Sequence, residues 1–168
     1  MNSFGVILLE QEKHLNSTAT LQVFRATQDE AATAFSLIEE YYEAIGVVVR
    51  DGREALEHYL ESPESPIFLA TVNGEPAGCV MLRPLPQVPG ALEVKRLWVR
   101  TQFRRHGLAA RLMLACEDFA RAEGCAWLYL DTKDDLEAAI RFYLASGYEH
   151  CARYNDNPQA TIFLRKHI

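Results

Sequence analysis

The chain has 168 residues, of which 49% are hydrophobic and 24% are charged. This composition is typical of a single globular domain and excludes a disordered or collagen-like protein. The formal net charge of −6 argues against a broad nucleic-acid-binding surface, which usually carries an excess of basic residues. No apolar run approaches the roughly 18 residues that a membrane-spanning helix needs.

The N-terminal residues and the cysteines favour a cytoplasmic protein. Residues 1–20 include the apolar run Val6–Leu9 without a basic region before it. We therefore expect an arm on a single domain of residues 21–168 and no secretory signal. No two cysteines have CxxC spacing, and no His lies at a metal-ligand interval from Cys79, Cys116, Cys125 or Cys151. This pattern predicts reduced thiols and no metal site.

The first part of the domain predicts a strand followed by two helices. Leu21–Arg25 alternates apolar and polar residues, as a half-buried strand does. Thr27–Glu30 has the capping-box pattern, which predicts a helix that continues to Gly46. Asp51–Glu54 repeats the pattern and predicts a second helix through Leu60.

A hairpin and a further strand come next. The Asn73-Gly74 dipeptide favours the positive φ angles of a tight turn. It lies between the apolar runs Ile67–Val72 and Pro76–Leu82, which are the expected strands of the hairpin. The Pro84–Pro89 loop then leads to the strand Leu92–Val99.

The second half predicts two helices and three strands. The helix Leu108–Ala122 carries apolar residues at helical spacing, and Gly124 follows it. Asp134 or Asp135 is the expected N-cap of a helix that ends before Gly147. The remaining strands are Trp127–Leu130, Tyr148–Tyr154 and Ala160–Leu164.

This order of elements predicts a mixed α/β domain. The strand–helix–strand unit in the middle requires a crossover connection, so the sheet should contain a parallel pair there. The hairpins toward its two ends should be antiparallel.

The segment between Val99 and the helix at Leu108 predicts an anion-binding site. Helix N-termini expose unpaired N–H groups and the positive end of the helix dipole, so they bind phosphate. Arg104 and Arg105 add charge, and Gly107 lets the backbone approach a ligand closely. The segment is neither a P-loop nor a dinucleotide fingerprint, because it lacks Gly-Lys-Ser/Thr and has one glycine.

This loop resembles a known family of enzymes. Arg104-x-x-Gly107-x-Ala109 is similar to the pyrophosphate loop of the GCN5-related N-acetyltransferase (GNAT) superfamily, which reads Gln/Arg-x-x-Gly-x-Gly/Ala. The resemblance extends from about Leu21 to Ile168. The other segments that carry it are the central strand Glu93–Val99, the next strand Leu128–Thr132, the helix Ala139–Tyr143 and the turn Gly147-Tyr148.

The resemblance implies an α/β (α+β) GNAT fold, the acyl-CoA N-acyltransferase fold, with a mixed, mostly antiparallel central sheet and one splayed parallel pair. It implies transfer of acetyl from acetyl-CoA to a primary amine by direct attack in a ternary complex. The positions that correspond to the family's cofactor site are Leu97, Trp98, Val99, Arg104, Arg105, His106, Gly107, Leu108, Ala109 and Ala110. The family often places an Asn that contacts the CoA arm where this chain has Leu136, so the resemblance does not carry that contact over to this position.

Two side chains are candidates for catalysis. Tyr143 matches the family tyrosine that protonates the leaving thiolate, and it is also compatible with a packed aromatic residue. Glu93 matches an acidic residue that many members carry on this strand, and it is the candidate general base. The alternative for Glu93 is an ion pair with Lys95, which lies on the same face of the strand. The sequence leaves three roles open for Asp131, which are an expected pair with Arg96, a cap on the next helix and a part in catalysis.

The acceptor and the partners follow from the same resemblance. The amine is expected to meet residues of Phe35–Tyr59, including Tyr41, Tyr42 and Glu43, and the Pro84–Pro89 loop. A small molecule, a peptide N-terminus and a protein lysine are all compatible with the sequence. The expected partners exclude nucleic acid and membrane, and the family often forms homodimers. The alternative function is a non-catalytic acyl-CoA-binding sensor or interaction domain on the same fold.

Overall fold

The structure is a computed structural model that describes residues 19–168. Most of the predicted arm, residues 1–18, lies outside the described residues, so the division at residue 20 stays a prediction. The strands are β1 (Leu21–Arg25), β2 (Ile67–Val72), β3 (Glu75–Pro84), β4 (Ala91–Val99), β5 (Trp127–Thr132), β6 (Glu149–His150) and β7 (Ile162–His167). The helices are α1 (Ala31–Ile45), α2 (Arg53–Glu61), α3 (Leu108–Ala122) and α4 (Glu137–Ala145).

Within residues 19–168, the seven strands form one sheet in the order β1-β2-β3-β4-β5-β7-β6. Among them, β4 and β5 are parallel neighbours and every other neighbouring pair is antiparallel. The mixed, mostly antiparallel sheet with one parallel pair is therefore confirmed.

Helices cover both faces of the sheet. On one face, α1 and α2 pack against β2 and β3 through a core that includes Leu37, Ile38 and Met81. On the other face, α3 and α4 pack against the central strands around Leu112 and Leu128. Side chains alternate between these two faces along each strand, which determines which strand residues can meet which helix.

Two of the turn and capping predictions are confirmed in detail. The Thr27 hydroxyl accepts from the Asp29 N–H at 3.3 Å, and Glu30 accepts from the Thr27 N–H at 2.8 Å. The turn between β2 and β3 has φ of 51° at Asn73 and 81° at Gly74. These are the angles that an Asn-Gly hairpin turn requires.

Two capping predictions are wrong. Helix α2 starts from Gly52 with no side-chain cap, because the Asp51 carboxylate accepts hydrogen bonds from Tyr42 and Arg96 instead. Helix α4 begins at Glu137, after Leu136, and has no side-chain cap.

The predicted strand Tyr148–Tyr154 is also mostly wrong, since β6 contains two residues of it. The chain turns away from the sheet edge after His150. The Tyr154 ring then packs edge-on against Tyr129 and Phe163, at centroid distances of 5.0 and 5.6 Å. This packing takes residues 152–154 out of the sheet, although the Cys151 N–H still donates to the Phe163 carbonyl at 3.0 Å.

Gly78 lies on β3 where the backbone of β4 comes close. A Cβ on residue 78 would lie 2.5 Å from the Trp98 carbonyl oxygen and 3.2 Å from the Val99 side chain. We expect Gly78→Ala to lower the free energy of unfolding by about 2 kcal/mol, because overpacking forces the strands apart. Denaturant titration measures this, with Gly52→Ala as the control, since a Cβ there meets nothing within 4 Å. Equal effects of the two changes would contradict the close approach.

No helix within residues 19–168 is long and apolar enough to cross a membrane. All four cysteines are free, and Cys79 and Cys116 are buried.

Candidate active site

Strands β4 and β5 separate after a short parallel contact. Ala91–Glu93 pairs with Trp127–Tyr129, and the pairing ends there. Strand β4 then continues along β3, whereas β5 continues along β7 as far as Thr132. The two strands therefore diverge, and within the described chain no strand pairs with the β5-facing edge of β4 beyond Glu93.

A β-bulge in β4 lies beside this gap. Met81 pairs with Lys95 and Cys79 pairs with Trp98, so β4 contains one more residue than β3 between these two pairs. Arg96 takes up the extra length with a left-handed φ of 58°. A bulge bends its strand and increases the local twist, which helps to turn β4 away from β5.

A cavity of about 930 Å³ passes through the sheet at the gap. Its walls include Tyr41 and Ile45 of α1 on one face, and Ala109 of α3 and Tyr143 of α4 on the other. Two ligands that enter from opposite faces of the sheet could therefore meet between β4 and β5.

The predicted anion loop lies at the α3 side of the cavity. Gly107 is the N-cap of α3, with φ of 75° and no side-chain hydrogen bond to the helix. A Cβ at this position would meet nothing within 4 Å, so the left-handed backbone is what favours glycine there. The first N–H groups of α3 are thus left available to an anion.

The loop is anchored on both sides. Arg100 donates to Glu40 of α1 at 2.7 Å and to the Pro76 carbonyl at 2.7 Å, so it is not free to bind a ligand. The hydrogen bonds that Arg100 donates to Glu40 hold the pKa of Glu40 below its ordinary value. Arg104 stacks over the Trp98 ring at 5.0 Å and donates to the Val99 carbonyl at 3.0 Å.

Tyr143 lies on α4 and faces the cavity. Its ring packs against Phe142 and Tyr148, at centroid distances of 5.5 and 5.8 Å. Burial raises the pKa of its hydroxyl well above the ordinary value, and nearby Tyr41 and Asp131 add to the effect. The hydroxyl therefore stays protonated at neutral pH and can donate a hydrogen bond or a proton into the cavity.

Glu93 is fully buried and does not line the cavity. Its Oε2 accepts from Arg83 at 2.6 Å. Its Oε1 accepts from Lys95 at 3.3 Å, and from Tyr154 and Asn155 at 2.9 Å each. The ion pair with Lys95 is therefore present, and the base role stays a prediction.

Asp131 belongs to the same buried cluster. It accepts from Lys95 at 2.9 Å, from Asn155 at 2.7 Å and from Asn157 at 3.2 Å. The expected pairing with Arg96 is wrong, because Arg96 binds Asp51 at 2.8 Å instead.

The electrostatics of Asp131 follow from these contacts. Burial alone would raise the pKa of Asp131, but Lys95 and the amides of Asn155 and Asn157 outweigh it. They hold the pKa of this carboxyl below its ordinary value.

The charge of Asp131 predicts a pH-dependent stability. A carboxyl whose pKa is lower in the folded state stabilises the fold above its unfolded pKa of about 4, and this contribution is lost as pH falls through the folded value. We expect Asp131→Asn to be less stable than wild type at neutral pH, and the difference to shrink below about pH 4. Thermal unfolding across pH measures this, with the exposed Asp156→Asn as the control. A difference that does not change with pH would contradict the ion pair.

Sequence reasoning found part of this site and missed the rest. Of the predicted residues, those that line the cavity are Leu97, Trp98, Val99, Arg104, Ala109 and Tyr143. Those that do not line it are Glu93, Arg105, His106, Gly107, Leu108 and Ala110.

The cavity wall on the α1 side also differs from the predicted acceptor site. Glu43 pairs with Arg50 at 2.6 Å, and the Pro84–Pro89 loop does not line the cavity. Residues 155–160 line it instead. The signal in the sequence was their Asn-Asp-Asn-Pro run, which predicts a polar turn before the last strand.

The acetyltransferase (GNAT) family model matches residues 24–148, which include the gap, the loop and Tyr143. The chain belongs to this family. An uncharacterized N-acetyltransferase of Bacillus subtilis, YhfO, is 32% identical over 132 residues, which cover 73% of this chain and 85% of the relative.

Two further proteins are similar to this GNAT chain. An uncharacterized N-acetyltransferase of Schizosaccharomyces pombe is 34% identical over 86 residues, and the match covers 51% of this chain and 52% of the relative. The chain thus spans about half the length of that relative. The PaiA N-acetyltransferase of Thermoplasma acidophilum, solved in complex with coenzyme A, has the same fold. It aligns with a TM-score of 0.73 at 12% identity, covering 89% of this chain and 99% of the other.

Proposed function

We propose that this chain is an acetyl-CoA-dependent N-acetyltransferase that transfers acetyl to a primary amine by direct attack in a ternary complex. The cavity through the sheet supports this proposal most strongly. It connects the anion loop on one face with the α1 side on the other, so a thioester and an amine can approach from opposite directions.

The residues around the gap fit acetyl-CoA. The uncapped N-terminus of α3, with Arg105 and Arg104 beside it, suits a pyrophosphate. The unpaired edge of β4 beyond Glu93 offers backbone groups to the amides of a pantetheine arm. When bound, acetyl-CoA supplies the acetyl group as a thioester.

The chain's own groups have two tasks in this reaction. Backbone N–H groups of Leu97–Val99, on the edge of β4 that does not pair with β5, stabilise the developing oxyanion in this proposal. Tyr143 gives a proton to the leaving thiolate and is reprotonated by the proton that the attacking nitrogen loses, so the transfer balances. The amine attacks only when it is neutral, and an ordinary primary amine has a pKa of about 10. Its own ionisation should therefore limit the rate at low pH.

We propose that Glu93 is a positioning residue that holds Lys95 and Asn155, because it does not touch the cavity. We expect Glu93→Gln to lower the free energy of unfolding by about 3 kcal/mol, since it breaks a buried ion pair. In the plot of kcat/KM against pH, the midpoint of the acidic limb should be the same for Glu93→Gln as for wild type. This midpoint should shift to lower pH when the amine substrate has a lower pKa. A limb that moves with the substitution and not with the amine would restore Glu93 as the base.

Thiol release from acetyl-CoA with a panel of primary amines tests the proposed function. We expect amine-dependent release, together with a rise in the melting temperature when CoA is added. A CoA-induced rise without release from any amine would favour the sensor function. No rise with CoA would contradict the cofactor assignment itself.

A further inference from the structure

Two segments that are far apart in the chain meet at the α1 side of the cavity. Residues 46–51 follow α1, residues 155–160 precede β7, and members of both line the cavity. The Gln159 side chain joins them. Its Oε1 accepts from the Val48 N–H at 2.9 Å, and its Nε2 donates to the Gly46 carbonyl at 3.2 Å. The Gln159 side chain therefore closes the space between these two segments.

The turn that carries Gln159 is held in place by the buried ionic cluster. The Gln159 N–H donates to Asn157 Oδ1, and the Asn157 N–H donates to Asn155 Oδ1, each at 3.1 Å. The amides of Asn155 and Asn157 in turn donate to Glu93 and Asp131. Gln159 is thus presented from a fixed turn.

A second contact closes the same wall. Lys133, which follows β5, donates from Nζ to the carbonyl of Ile45 at 3.4 Å. The C-terminal end of α1 is therefore tied to β5, and the segment that follows α1 is tied to the turn before β7.

We infer that the acceptor is a small primary amine that binds in the cavity, and that Gln159 excludes amines carried by an extended polypeptide. This inference rests on the proposed acetyl transfer. An extended polypeptide that passed between the two segments would need about 4.8 Å between its own backbone and the backbone of each segment. The hydrogen bonds of Gln159 occupy that space.

The size of the cavity agrees with a small acceptor. Pockets for small ligands occupy about 300–1,000 Å³, and this cavity of about 930 Å³ must hold an acyl-pantetheine arm as well as the amine. The acceptor therefore has only part of this volume, which favours a small molecule.

The test compares phenethylamine with a long peptide whose N-terminal residue is Phe. We expect kcat/KM for the peptide to be lower by about 100-fold in the wild type, because the amine cannot reach the thioester. Gln159→Ala should raise the peptide-to-phenethylamine ratio by about tenfold. The control is Gln87→Ala, which removes a hydrogen bond to the Tyr154 carbonyl outside the cavity and should leave the ratio unchanged.

The outcomes separate this inference from the proposed function. Equal use of the peptide and phenethylamine by the wild type would overturn the inference without any variant. An unchanged ratio in a folded Gln159→Ala, judged by its melting temperature, would also overturn it. Thiol release with neither amine, nor with any other primary amine, would overturn the proposed transfer and the inference with it.

Discussion

Tyr143→Phe is expected to lower kcat by about 100-fold while leaving the affinity for CoA almost unchanged. The substitution removes the hydroxyl that faces the cavity and keeps the ring that packs against Phe142 and Tyr148. Burial raises the pKa of this hydroxyl, so the wild type should lose no activity from its ionisation below about pH 10. Steady-state kinetics and calorimetric titration with CoA measure the two effects.

Tyr148→Phe is the matched control. Tyr148 packs against the Tyr143 ring, and its hydroxyl is buried without a hydrogen-bond partner in the described part of the chain. Removing that hydroxyl should leave kcat unchanged and should not lower stability. An unchanged kcat in Tyr143→Phe, or an equal loss in the two variants, would remove Tyr143 as the proton donor.

Ala109→Glu is expected to weaken CoA binding by about 100-fold without destabilising the protein. Ala109 lines the cavity in the first turn of α3, so a carboxylate there would occupy the anion site and repel the phosphates. Without ligand, the same carboxylate interacts favourably with the N-terminus of the helix, by about 0.5 kcal/mol. The dissociation constant should therefore rise while the melting temperature of the free protein stays close to that of wild type.

The matched control for this change is Ala122→Glu at the other end of α3. It adds the same side chain to the same helix, far from the loop, and should leave CoA binding unchanged. Wild-type affinity in Ala109→Glu would show that the N-terminus of α3 does not hold the pyrophosphate.

Local patterns in the sequence predicted most of the fold. The capping box at Thr27, the Asn73-Gly74 turn and the bounds of α3 depend on neighbouring residues, and all three agree with the structure. The loop from Arg104 to Ala109 could be predicted as an anion site for the same reason, since its residues follow one another in the chain, and that role stays a prediction.

The predictions that failed depend on contacts between distant residues. Asp51 has the spacing of an N-cap, but Tyr42 and Arg96 compete for its carboxylate. The strand pattern predicts that Lys95 pairs with Glu93, but Lys95 and Asn155 also bind Asp131, which no local pattern connects to Glu93. The wall formed by Gln159 joins residues more than 100 positions apart. Such contacts are set by the packing of the whole sheet.

The central claim is that acetyl passes directly from the thioester to the amine through the gap between β4 and β5. Initial rates measured while both substrates are varied test it most directly. Direct transfer in a ternary complex predicts intersecting lines in double-reciprocal plots. Parallel lines, which indicate an acetylated enzyme intermediate, would contradict it.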